Sequence, residues 1–223
     1  MIGFWDYTVI LTYISLVSAI TGIFNAISGY PQWAVFCLAF SGFCDMFDGK
    51  IARTKKNRAE DEKSFGIQID SLCDMVCFGI LPIIICYKIG MNQIFGIVIL
   101  ILYGLAGLIR LAYFNVVEEK RQADTDENRK YYQGLPITSM AIALPILFVA
   151  SGSFPSQNAF IIALHVLVAT VGMLFIANFK FKKPSTLEVI LIVIIVAAAV
   201  FAIIFAERSL LKFIHVYMRR GSL

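Results

Sequence analysis

Apolar stretches separated by short polar breaks run the length of the chain, at residues 8–29, 31–52, 67–87, 92–115, 136–152, 158–179 and 186–206. Each approaches the roughly 20 apolar residues that a helix needs to cross a ~30 Å hydrocarbon core. Gly and Pro punctuate them, as in Ser28-Gly29-Tyr30-Pro31, Ser151-Gly152-Ser153-Phe154-Pro155 and Lys183-Pro184-Ser185. No charged residue falls between Asp6 and Asp45, or between Lys130 and Lys180. The pattern predicts an all-α integral membrane protein. Two connections, 54–65 and 116–132, are long and charged and read as loops.

Composition agrees with the pattern. Of the 223 residues, 59% are hydrophobic and 15% charged, against ~25% charged in soluble domains. A soluble fold with a large core is therefore excluded, and nothing suggests a nucleic-acid partner. Met1–Asp6 has no basic leader, so the first span is expected to be retained. Basic residues gather on one side. Lys50, Arg53, Lys55, Lys56, Arg58 and Lys63 flank the second-to-third connection. Arg110, Lys120, Arg121, Arg129 and Lys130 flank the fourth-to-fifth, and Lys180, Lys182 and Lys183 the sixth-to-seventh. The alternate connections carry only Lys88. The positive-inside rule then puts the N-terminus and these connections in the cytoplasm. Residues 209–218 either fold back as an eighth membrane segment or lie on the surface as an interfacial helix. The five cysteines, all in apolar segments, read as small buried hydrophobes.

Against this background four carboxylates stand out. Asp45 and Asp48 lie 14 and 17 residues after Pro31. At 1.5 Å per residue that is roughly 20–25 Å into the second span, near the cytoplasmic face. Asp70 and Asp74 open the third span at the same depth. Spacings of i, i+3 and i, i+4 put each pair on one helix face. Two antiparallel helices can thus aim four carboxylates into one volume, where their mutual repulsion demands neutralisation. Oxygen ligands suit Mg²⁺ or Mn²⁺, and four carboxylates suit two ions, the arrangement that serves phosphoryl displacement. Protonated or salt-bridged helix carboxylates are the bland alternative, and a cation or proton transporter is the alternative of another class. Gly49 and Gly66 allow close backbone approach or helix packing. Ala52 keeps the same surface low. Arg53 can pair with a phosphate or simply mark the membrane edge.

Together these residues form Asp-x2-Asp-Gly-x2-Ala-Arg, a gap of twelve, then Gly-x3-Asp-x3-Asp. The pattern resembles the signature of the CDP-alcohol phosphatidyltransferase family, with all eight fixed positions present. The gap exceeds that family's usual eight or so residues. A second stretch, Arg110-Leu-Ala-Tyr-Phe-Asn115 followed by Tyr132-Gln-Gly134-Leu-Pro136, is similar to the bacterial serine-transferring branch, the CDP-diacylglycerol–serine O-phosphatidyltransferases. The resemblance covers residues 8–183. It implies a six-helix transmembrane core over 1–183, with 184–223 adding one or two helices, and a homodimer. It further implies transfer of the phosphatidyl group of CDP-diacylglycerol to L-serine with release of CMP. Glycerol 3-phosphate and inositol phosphate are the alternative acceptors. By the same resemblance Asp45, Asp48 and Asp70 would ligate metal. Asp74 would ligate or act as general base. Gly49, Ala52, Arg53 and Gly66 would line the nucleotide and phosphate. Arg53 and Arg110 would hold phosphate or the serine carboxylate, with Asn115, Gly134 and Pro136 shaping the acceptor side. In the first span the family's Thr-x-x-Asn is replaced by Ser15-x-x-Ser18, so the nucleotide contact passes to the Ser18 hydroxyl.

Overall fold

The computed structural model describes residues 3–4, 7–52, 54–55, 59–124, 131–182 and 198. Among the described residues, seven helices carry the fold: α1 (Ile10–Ile27), α2 (Pro31–Ala52), α3 (Glu60–Asp74), α4 (Leu81–Ile89), α5 (Ile94–Asp124), α6 (Met140–Val149) and α7 (Gln157–Ile176). A π-helical turn, Met75–Ile80, joins α3 to α4 in one continuous span. Short 3₁₀ turns precede α1 and flank α6. The six spans expected for residues 8–179 are therefore all helical. Among the described residues, four stretches are long and apolar enough to cross a membrane: Tyr7–Ile27, Glu60–Ile89, Ile94–Lys120 and Gln157–Ile176. α2 has the length, at 22 residues, but carries Asp45, Asp48 and Lys50. Large apolar side chains such as Phe95, Ile94 and Met173 point outward, as lipid-facing residues do. The chain is an integral membrane protein. The expected seventh span, the tail and the division at 183/184 lie outside the described residues, apart from Ala198.

α1 and α2 form the tightest helix pair. The buried face of α1 is a stripe of small residues, Thr12, Ser15, Ala19, Gly22 and Ala26. In lipid, helices associate through close packing of such residues and through interhelical hydrogen bonds. Both are present. Ser15 donates to the Ser41 carbonyl at 3.2 Å and Ser41 to the Ser15 carbonyl at 3.0 Å. A Cβ on Gly22 would lie 2.8 Å from that of Cys37. α6 packs on another face of α2, where a Cβ on Gly42 would lie 2.5 Å from that of Ala141. Gly42→Leu is therefore expected to destabilise the protein by about 1–3 kcal/mol through overpacking. Thermal unfolding in detergent checks this, and an unchanged midpoint would mean that α2 and α6 do not meet there.

One expectation needs correction. The charged runs 54–65 and 116–132 are not wholly loops. α3 begins at Glu60 and α5 continues to Asp124. Hydropathy marks where a helix leaves the membrane, not where it ends. Glu60, Asp61 and Glu62, expected in a solvated loop, form the first turn of α3, where carboxylates complement the helix dipole. Lys55 reaches back to Glu62 at 3.1 Å. A small β ribbon accompanies the helical fold. Residues Tyr131–Gln133 (β1) pair antiparallel with Lys180–Lys182 (β2), Gln133 opposite Lys180. This ribbon joins the connection after α5 to the end of α7.

Candidate active site

α2 descends and α3 rises, so their aspartates meet at one end of the bundle. One carboxylate oxygen from each of Asp45, Asp70 and Asp74 lies within 4.8 Å of the others. Asp48 completes the group. Its carboxyl meets that of Asp70, as the carboxyl of Asp45 meets that of Asp74. Thr12 of α1 donates its hydroxyl to Asp48 Oδ2 at 3.3 Å. Asp48 is buried and the other three are half-buried. The donors are all oxygen, and among the described residues no Lys or Arg is paired with any of the four. Such a set fits a hard divalent cation, and these carboxylates could hold one.

Beside the cluster, Gly49 is exposed, and a Cβ placed on it would meet nothing within 4 Å. Of its two sequence readings, helix packing has no partner here, and open space beside the carboxylates suits the approach of a ligand. Ala52 ends α2, half-buried. Gly66 lies in α3, one turn before Asp70. Arg53 lies outside the described residues.

α3 is braced from α5. Ser71 donates to Asn115 Oδ1 at 2.6 Å, Asn115 donates to Gln68 Oε1 at 3.4 Å, and Gln68 donates to Glu119 Oε1 at 3.2 Å. Asn115 therefore holds the helix that carries Asp70 and Asp74. Arg110 sits five residues earlier on α5, about 7.5 Å along the axis and 140° around it, so it faces a different corner. That corner is built by the ribbon. The buried Arg110 guanidinium donates to the Gln133 carbonyl, and the Tyr113 hydroxyl donates to Gln133 Oε1 at 2.9 Å. Gly134 comes next at φ +67°, with its N–H on the Phe179 carbonyl at 2.8 Å. A Cβ there would lie 3.0 Å from two carbonyl oxygens of the α7 end and 3.1 Å from Arg110 Nη1. Only glycine fits, by conformation and by space. Pro136 then leads into the turn before α6.

Ser18 is elsewhere. Its hydroxyl donates to the Cys37 carbonyl at 3.1 Å, at a level eleven residues before Asp48, about 16 Å along α2. The α1 hydroxyl at the cluster is Thr12, one helical turn before Ser15 on the same small-residue stripe. The stripe marks the face of α1 that meets α2, and the register between the two helices sends Thr12 to Asp48. Cys73 and Cys77, flanking Asp74, are buried and free. Ser15 spends its hydroxyl near Cys77 Sγ, at 3.4 Å, as well as on Ser41.

The family model for CDP-alcohol phosphatidyltransferase matches residues 7–172. The chain is 32% identical over 148 residues to the CDP-diacylglycerol–serine O-phosphatidyltransferase of Saccharomyces cerevisiae, covering 61% of this chain and 52% of that protein. It is 30% identical to the proteins of the same name from Bacillus subtilis, over 65% of this chain and 71% of that one, and Helicobacter pylori, over 84% and 78%. The chain thus spans about half the length of the yeast relative. No solved structure matches. A family match over residues 7–172, most of the chain, has one meaning: the chain belongs to the CDP-alcohol phosphatidyltransferase family.

Proposed function

We propose that this protein transfers the phosphatidyl group of CDP-diacylglycerol to the hydroxyl of L-serine, giving phosphatidylserine and CMP. The observation that carries the reading is the convergence of Asp45, Asp48, Asp70 and Asp74 without a basic partner among the described residues. Their depth supports it too. A site near the membrane face lets the acyl chains stay in lipid while the cytidine stays in water. Family membership leaves the transporter reading without support.

The four aspartates would hold Mg²⁺ or Mn²⁺, in one or two ions, which when bound would neutralise charge on the diphosphate. Gly49, Ala52 and Gly66 leave room for the nucleotide and phosphates, and Arg53 supplies a guanidinium at the membrane edge. Arg110, oriented by Gln133, takes the serine carboxylate. Gly134 and Pro136 shape that corner, and Asn115 holds α3 in place. Asp74 accepts the proton of the serine hydroxyl as its oxygen bonds to the lipid-side phosphorus. The bond from that phosphorus to the bridging oxygen breaks, and its electron pair leaves with CMP. The chain's own contribution is mainly positioning and fixed charge. By the positive-inside rule, the basic connections support a cytoplasmic orientation for this end of the bundle and for the N-terminus. By family resemblance the protein works as a homodimer, and residues 184–223 form an addition to the catalytic core.

The direct test incubates the purified protein with CDP-diacylglycerol and Mn²⁺ or Mg²⁺ and offers each acceptor in turn. Serine-dependent CMP release is expected. Release with glycerol 3-phosphate or inositol phosphate, but not serine, would replace the acceptor while keeping the chemistry. Thr12→Val tests the cluster more gently, since it keeps the side-chain shape and removes only the donor to Asp48. Groups that orient metal ligands are typically worth about 10–100-fold in affinity, so the ion concentration for half-maximal activity should rise about 10-fold. An unmoved activation curve would show that Thr12 does not orient Asp48.

A further inference from the structure

Directly after Asp74 the third span leaves α geometry. The π turn Met75–Ile80 closes with the Leu81 N–H on the Val76 carbonyl, five residues back. Its cause is legible two residues further on. Pro82 has no N–H, and its ring crowds the carbonyl four residues earlier, that of Phe78. Phe78 is fully buried, so an unpartnered carbonyl there would cost about 1–3 kcal/mol. Tyr103 of α5 supplies the missing donor, its hydroxyl hydrogen-bonding the Phe78 carbonyl. Tyr103 is itself only 2% exposed. Its ring packs on Phe175 of α7 at 5.4 Å, and Gly172 makes room for its backbone.

A π turn takes up about one residue more than an α turn, which rotates the helix on its N-terminal side by about 100° relative to the helix on its C-terminal side. The C-terminal side is fixed, because Leu81, Ile85 and Cys86 of α4 are fully buried in the core. The N-terminal side is α3, whose inner face carries Asp70 and Asp74. We infer that Tyr103 is a positioning residue of the carboxylate cluster: by holding the proline-imposed π turn, it keeps Asp70 and Asp74 in phase with Asp45 and Asp48. The inference rests on the proposed metal-binding role of those aspartates.

The test reads Mn²⁺ binding to the detergent-purified protein by the electron paramagnetic resonance of free Mn²⁺, alongside thermal unfolding. Tyr103→Phe keeps the ring and removes the donor, so it should bind Mn²⁺ about 10-fold more weakly, the scale of a group that orients a ligand. Phe175→Leu loosens the packing around the ring but leaves the hydroxyl. It should lower the unfolding midpoint while Mn²⁺ affinity stays within about twofold. Pro82→Ala restores the backbone donor and should also weaken Mn²⁺ binding, by relaxing the turn. It carries the test if Tyr103→Phe does not fold. Wild-type affinity in Tyr103→Phe or in Pro82→Ala would overturn the inference alone. So would a loss in Phe175→Leu equal to that in Tyr103→Phe, because packing would then be the agent. A wild-type protein that binds no Mn²⁺ would instead remove the metal reading beneath it, and the inference with it.

Discussion

Asp70→Asn is expected to lower CMP release by about 10³-fold, the upper scale for losing one fixed charge that stabilises a transition state. Asp70 is the centre of the cluster. Its carboxyl meets that of Asp48, and its oxygen lies within 4.8 Å of those of Asp45 and Asp74. The substitution is nearly isosteric, so the helix contacts around it should survive. Stability should move the other way. With no divalent ion present, four carboxylates crowd a poorly solvated volume, and removing one charge relieves repulsion. The unfolding midpoint in chelator is therefore expected to hold or rise while activity disappears. This opposition of stability and activity is common at active sites. CMP release and thermal unfolding, each with and without Mn²⁺, measure both halves. An Asp70→Asn protein with undiminished, metal-dependent turnover would remove the carboxylate cluster from the chemistry.

Much of this site was legible in the sequence because it depends on only two quantities, depth and helical phase. Counting from Pro31 gave the depth of Asp45 and Asp48, and the spacings of three and four gave the shared face. Features that depend on how one helix rotates against another were not legible. Thr12 and Ser18 are both hydroxyls on α1, and only the α1–α2 register sends one to Asp48 and the other to Cys37. Pro82 is visible in the sequence and predicts a lost hydrogen bond. It does not predict that the strain resolves as a π turn next to Asp74, or that a tyrosine 21 residues later fills the gap. The start of α3 was missed for a different reason. Residues 60–63 are too polar for a membrane but are good helix material, with three carboxylates at the helix N-terminus. The β1–β2 ribbon is too short, at three residues a strand, to leave an alternating pattern.

The carboxylates and the proposed acceptor corner are built from different halves of the molecule. α1, α2 and α3 make the first; α5, the ribbon and the end of α7 make the second. The bridge between them is α5, which carries Arg110 on one face and Asn115 on another. Under the proposed function, a substitution in one half is expected to separate the handling of the acceptor from that of the diphosphate.

Arg110→Ala is expected to make that separation visible, raising the KM for serine about 10²-fold while the KM for CDP-diacylglycerol moves little. An arginine within a membrane span is expensive and generally functional. Arg110 is 8% exposed, and its guanidinium is oriented by the Gln133 carbonyl. Gly134, where no other residue fits, lets that backbone come so close. A planar guanidinium held in this way suits a carboxylate through paired, charge-assisted hydrogen bonds, worth roughly 1.5–3 kcal/mol. That range gives the expected factor. Arg110→Lys keeps the charge but loses the fork, so it should fall between, at about a tenfold rise. Initial rates over a matrix of serine and CDP-diacylglycerol concentrations distinguish the outcomes. Equal increases in both KM values would mean that Arg110 serves the phosphates or the fold instead. A serine-selective increase, larger in Arg110→Ala than in Arg110→Lys, would tie the serine carboxylate to α5, apart from the aspartates that face the diphosphate and the serine hydroxyl.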